Sequence, residues 1–131
     1  MFNYKYLSFA LFITLLIIYA SSIPSRSLLV TGSLTERIIS NLAHIPAYAL
    51  LTFLWLKAFK RKNASHCFMA NGLILVGLII FAVSDEMHQS FVPGRFASLM
   101  DLGLNFLGIL LGFGTLKILG MLGRSSLRNN H

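Results

Sequence analysis

Asp85, Glu86, Gln89, Arg95, Asp101 and Asn105 fall within a window of about twenty residues, and Asn41, His44 and Tyr48 form a second polar group upstream. Two adjacent carboxylates can hold different proton affinities, so that Asp85 and Glu86 could supply a base and an acid at one pH. His44 would be a second acid/base or an orienting group. The Arg95 fork matches either a carboxylate or a phosphate. The spacing supports convergence. Asn41, His44 and Tyr48 share one face of a helix, as do Asp85 with Gln89 and Asp101 with Asn105. On this reading Asp85, Glu86 and His44 are the candidate catalytic groups. Gln89, Arg95, Asp101, Asn105 and Tyr48 are the candidate binding groups.

Each residue also has a purely structural reading. Asp101 could cap a helix in Ser98-x-x-Asp101, and Arg95 could close a hairpin by pairing with Asp85 or Glu86. Asn41 and Asn105 could join helices as amides do in membranes. His44 could bond a carbonyl freed by Pro46, and His88 could simply face water. A metal site from His44, His88, Asp85 and Glu86 lacks any diagnostic spacing, so neither a metal nor a cofactor is expected. No nucleophile signature is evident.

The elements carrying these residues are apolar. The 131 residues are 56% hydrophobic and 11% charged, with a mean hydropathy of +0.74, whereas a soluble domain needs about 25% charged residues to wet its surface. The chain reads as one all-α membrane domain, a four-helix bundle, with spans at about 4–23, 38–59, 67–83 and 102–119. The third is the shortest acceptable span, since about 17–20 residues are needed to cross hydrocarbon. No alternating β pattern is present.

Local signals mark the boundaries. Ser33-x-x-Glu36 is a capping box that starts the second helix, and Ser98-x-x-Asp101 does the same for the fourth. Pro46 removes a donor within the second helix and predicts a kink near Leu42. Pro93-Gly94 suits a type II turn, which would hold Arg95 back toward Asp85, Glu86 or Asp101. Gly108-x-x-x-Gly112 offers a groove for close approach to the second or third helix. Cys67, the one cysteine, excludes an intrachain disulfide. The first stretch has a rival reading as a signal peptide, with Lys5 before an apolar core and Ala20 and Ser22 as a cleavage pattern.

Lys and Arg set the orientation. Lys5, Lys57, Lys60, Arg61, Lys62, Lys117, Arg124 and Arg128 fall on one side, against Arg26, Arg37 and Arg95 on the other. The positive-inside rule places both termini in the cytoplasm. Glu36, Asp85, Glu86 and Asp101 are then all on the outer side. The net charge of +7 is distributed as topology anchors and lipid-facing charge, so nucleic acid is not an expected partner.

Asp85-Glu86-x-x-Gln89-x-Phe91-x-Pro93-Gly94-Arg95, followed by Asp101-x-x-x-Asn105-x-x-Gly108, resembles the signature of the VanZ-like membrane proteins. That family's upstream His, with an aromatic four residues later, is matched by His44 and Tyr48. Its frequent Asp-Lys pair before the His is replaced here by Ser40-Asn41. The resemblance runs from about Asn41 to Gly112. It implies a bacterial inner-membrane protein with four helices, in a family whose founding members are associated with low-level teicoplanin resistance.

Three functions follow as expectations. The first is a non-catalytic envelope protein that binds or alters a lipid-linked or anionic headgroup at the outer leaflet, with membrane lipids or a lipid-linked envelope precursor as partner. The second is a small intramembrane acid/base enzyme acting on such a headgroup. The third, a proton- or ion-coupled carrier, is weakest, because the inner half has little polar lining beyond Asn71 and no inverted repeat.

Overall fold

A computed structural model describes residues 3–24, 34–59, 64–95 and 98–128, with side chains at 3–24, 42–59, 68–95 and 98–122. The Ser33–Glu36 capping box, the side chain of Asn41, Cys67, the Lys60-Arg61-Lys62 run and the Ser125–His131 side chains lie outside the described part. The described residues form four helices: α1 (Tyr4–Ser22), α2 (Leu34–Ala58), α3 (Ala64–Ser90) and α4 (Leu99–Arg128).

Three of these are long and apolar enough to cross a membrane, over Tyr4–Ser22, Phe68–Ser90 and Leu99–Leu122. In α2 the described apolar stretch is shorter, Leu42–Ala58. Phe12 and Leu15 on α1, Phe68 and Leu73 on α3, and Leu110 and Met121 on α4 are all exposed. So much uncovered apolar surface is what a lipid solvent permits and water does not.

The third helix extends past its apolar stretch, as the shared face of Asp85 and Gln89 requires. The apolar stretch ends at Val83, and α3 runs on through Ser90. The hydropathy of Ser84–Ser90 is low, but Asp85, Glu86 and Gln89 find protein partners and stay helical. Far from the shortest acceptable span, it covers 23 residues.

One local expectation is met at the α3–α4 turn. The Arg95 N–H bonds the Val92 carbonyl at 3.1 Å, and Gly94 has φ 80. That is a type II turn with Pro at its second position and Gly at its third. α2 continues through Pro46.

The glycine groove meets α2. A Cβ on Gly108 would lie 2.6 Å from the Ile45 carbonyl oxygen, and one on Gly112 would collide with the Ala49 carbonyl oxygen. Contacts ascend together along both helices, so α2 and α4 run parallel and share the most extensive contact in the bundle. α1 lies antiparallel to α2: the Asn3 N–H bonds the Ala58 carbonyl at 3.0 Å, and the Trp55 indole N–H reaches Thr14 Oγ1 at 3.4 Å. A small core of Tyr48, Leu51, Leu78, Ala82 and Ile109 sits between them, flanked by Ile13, Ile17 and Phe81. This arrangement brings the C-terminal ends of α1 and α3 and the N-terminal end of α4 together.

Candidate functional site

The polar residues that the sequence singles out gather at that end. Asp85, Glu86, Gln89 and Asn105 each keep 5% or less of their surface exposed, and Asp101 keeps 9%. Burying such groups is costly unless each polar atom finds a partner, so the partners decide what the cluster is for.

Asp85 is well held. Its Oδ2 accepts the Tyr48 hydroxyl at 3.2 Å and the Gln89 amide at 3.2 Å. Tyr48 is itself fixed by parallel stacking near His44 and by Phe81, with ring centroids 6.5 and 6.1 Å away. The i,i+4 pairs His44–Tyr48 on α2 and Asp85–Gln89 on α3 therefore each share a face.

Glu86 turns the other way. Its Oε1 accepts the backbone N–H of Ser98 at 2.8 Å, where α4 begins. Ser98 caps α4, with its carbonyl accepting from Leu102 at 3.0 Å and its Oγ accepting from Met100 at 3.2 Å. In a full capping box the acidic residue at the third helical position would take the Ser98 N–H. Here Glu86 of α3 takes it, and Asp101 is released from that role.

Among the described residues, three buried side-chain atoms are left without a partner: Glu86 Oε2, Asp101 Oδ1 and Asn105 Nδ2. They belong to one neighbourhood. Asp101 and Asn105 are successive on one face of α4, Glu86 lies within electrostatic reach of His44, Asp85 and Asp101, and His44 Nδ1 meets Asn105 Oδ1 at 2.8 Å. His44 thus bonds an amide, not a carbonyl freed by Pro46.

Arg95 departs from expectation. It makes no ion pair with Asp85, Glu86 or Asp101. Its Nε donates to the Ile23 carbonyl at 3.1 Å, Nη2 to the Ala20 carbonyl at 2.9 Å, and Nη1 to Gln89 Oε1 at 3.3 Å. The last turn of α1 has no basic residue of its own, and its carbonyls carry the negative end of the helix dipole. A guanidinium brought by the Pro93-Gly94 turn satisfies them.

α1 therefore takes part in the site, which the sequence reading missed. Ser21 Oγ accepts the Gln89 amide at 3.2 Å, and Ser22 Oγ meets His88 Nε2 at 3.1 Å. The available signal was the pair Ser21-Ser22 ending an otherwise apolar helix, which reads equally as a cleavage pattern. His88 is tied to α1 and does not join a metal-ligand set. No group of three or more His, Cys, Asp or Glu among the described residues is arranged to hold a metal ion.

The arrangement is a layered polar end. Arg95, Gln89 and Ser21 bind α1 to α3, Tyr48 and Asp85 bind α2 to α3, and Glu86, Asp101 and Asn105 present unused hydrogen-bonding capacity between α3 and α4. Residues 4–120 match the sequence model of a family described as VanZ/LLP1. No curated protein and no solved structure matches the chain.

Proposed function

The chain belongs to the VanZ/LLP1 family, and from that premise we propose that it is a four-span inner-membrane protein binding a lipid headgroup at the outer leaflet. Both termini are cytoplasmic on this reading, as the Lys and Arg distribution favours. The Asp85–Asp101 end then faces outward, at the depth of a membrane lipid or lipid-linked envelope precursor.

One observation carries the reading: Glu86 Oε2, Asp101 Oδ1 and Asn105 Nδ2 are buried and unpartnered at one end of the bundle. Each such atom costs the fold about 1–3 kcal/mol. A cluster of them, where the other buried side-chain polar atoms among the described residues have partners, suggests that a ligand completes it. The expectation of an anionic headgroup finds less support, because Arg95 is engaged by α1 and the unpartnered oxygens belong to carboxylates. A headgroup offering N–H or O–H donors suits them better.

The acid/base alternative uses the same atoms with a sharper assignment. Asp85 Oδ2 already accepts two donors, whereas Glu86 Oε2 has none. Glu86 would be the base, with Asp85 orienting Tyr48.

The test is to identify lipids that co-purify with the full chain and to repeat the measurement with Glu86→Gln and Asp101→Asn together. Loss of a specific lipid from a folded double variant supports the reading, and an unchanged lipid profile sinks it. Teicoplanin susceptibility of cells carrying each form tests the resistance context.

A further inference from the structure

We propose that the ligand bound between Glu86, Asp101 and Asn105 carries a primary ammonium group, as an amine-bearing lipid headgroup does. The proposal rests on the headgroup-site reading above and names the chemistry that the site selects.

The first argument is charge. Asp85, Glu86 and Asp101 are buried, and Asp85 and Asp101 each lie within electrostatic reach of Glu86. Among the described residues none of the three forms an ion pair. Among the described side chains the guanidinium is that of Arg95, which spends three of its N–H groups on the carbonyls of Ala20 and Ile23 and on Gln89 Oε1. Buried carboxylates without a counter-charge are unfavourable. The His44 imidazole is within electrostatic reach of Glu86 but spends Nδ1 on Asn105. Among the described residues no lysine or arginine pairs with them, so a cation would complete the site.

The second argument is hydrogen-bond count. Glu86 Oε2 and Asp101 Oδ1 are two unused acceptors. The Asn105 amide, which meets His44 Nδ1 through its oxygen, can turn over, because the imidazole accepts or donates according to its tautomer. In the turned state Asn105 Nδ2 donates to His44 and Oδ1 becomes a third free acceptor. A primary ammonium has three N–H donors for three acceptors. His44 is then a positioning residue that sets which end of the Asn105 amide faces the ligand.

The third argument is source. Phe91, Leu99 and Met100, beside the turn and at the start of α4, are 82%, 89% and 69% exposed. An apolar rim around an acidic site suits a ligand arriving from the bilayer more than a free amine from water. A divalent metal is the less suitable cation, since the described His, Cys, Asp and Glu side chains do not gather as ligands.

The experiment uses the full chain in nanodiscs. Phosphatidylethanolamine, phosphatidylglycerol and phosphatidylcholine compete for retention, read by native mass spectrometry. In parallel, ethylammonium and tetramethylammonium are titrated into phosphatidylglycerol discs with thermal unfolding as readout. Phosphatidylethanolamine should be enriched about tenfold or more over both other lipids, as loss of a charge-assisted hydrogen bond implies. Ethylammonium should stabilise the protein and tetramethylammonium, which has no N–H, should not. Both effects should vanish in Glu86→Gln and Asp101→Asn. Ethylammonium stabilisation without phosphatidylethanolamine enrichment would support the ammonium site with a soluble amine as its source. Phosphatidylglycerol enrichment that depends on Glu86 would overturn the ammonium proposal and leave a headgroup site. Lipid and amine binding indifferent to Glu86 and Asp101 would remove both. Should the variants fail to fold, equal response to the two ammonium ions in the unsubstituted protein overturns the proposal unaided.

Discussion

The Arg95 guanidinium donates from Nη2 to the Ala20 carbonyl at 2.9 Å, tying the α3–α4 turn to the end of α1 across 75 residues of sequence. This bond, with its companions to Ile23 and Gln89, makes α1 part of the polar end. It also separates Arg95 from the carboxylates that the sequence offered as its partners.

Arg95→Gln should therefore loosen α1, costing about 1.5–3 kcal/mol for the charged hydrogen bonds lost. Arg95→Lys should recover little of this, because one ammonium cannot reproduce a planar fork. Combining Arg95→Gln with Glu86→Gln should give additive effects on thermal unfolding, as expected for residues without a shared contact. Mutual rescue in the double variant would instead reveal an ion pair between them.

The glycine stripe gives a contrast within one helix. A Cβ at Gly108 or Gly112 meets the α2 backbone, whereas nothing lies within 4 Å of one at Gly103 or Gly114. Gly112→Ala should cost roughly 1–3 kcal/mol by forcing α2 and α4 apart, and Gly112→Leu more. Gly114→Ala should be neutral or slightly stabilising, since alanine is the better helix former. Equal unfolding temperatures for Gly112→Ala and Gly114→Ala would mean that the α2–α4 contact is absent.

What the sequence revealed and what it hid divide along a physical line. Residues whose conformation is set locally were legible: Pro93-Gly94 dictated its turn, Gly108 and Gly112 their groove, and Ser98 its cap. The i,i+4 pair Asp85–Gln89 followed from helical period. Which helix received the groove, and which carbonyls received Arg95, depended on how α1 docks, and an apolar helix such as α1 carries little pattern to say so. The burial of the end of α3 was hidden for the same reason. Hydropathy scores Asp85, Glu86 and Gln89 as water-seeking, but Tyr48, Ser21 and the Ser98 N–H replace the water. Glu86 taking the bond that a capping box reserves for Asp101 was likewise invisible, because it joins two helices that only the fold brings together.

Orientation is open to labelling. With Cys67 replaced, cysteines at Phe91, which is exposed beside the turn, and at Ser65 should fall on opposite sides of the membrane. An impermeant maleimide applied from outside should label position 91 and spare position 65, as the charge distribution requires. The reverse pattern would invert the topology and place the acidic end in the cytoplasm.

The strongest expectation concerns stability against function at Asp101. If Asp101 Oδ1 and Glu86 Oε2 were structural, their removal would destabilise the fold. Both atoms lack a protein partner, so the fold itself carries their desolvation cost of about 1–3 kcal/mol each. Asp101→Asn replaces a buried carboxyl by an amide whose N–H₂ adds a donor within electrostatic reach of Glu86. The variant should unfold at the same or a higher temperature than the parent while losing its lipid ligand, the trade expected where residues are kept for binding. Glu86→Gln should behave less favourably, because its Oε1 also accepts from the Ser98 N–H at 2.8 Å and a neutral amide accepts that bond more weakly. Thermal unfolding and lipid retention measured on the same samples separate the two roles. A clear drop in unfolding temperature for Asp101→Asn, with lipid retained, would make Asp101 a structural residue and leave the cluster without its ligand.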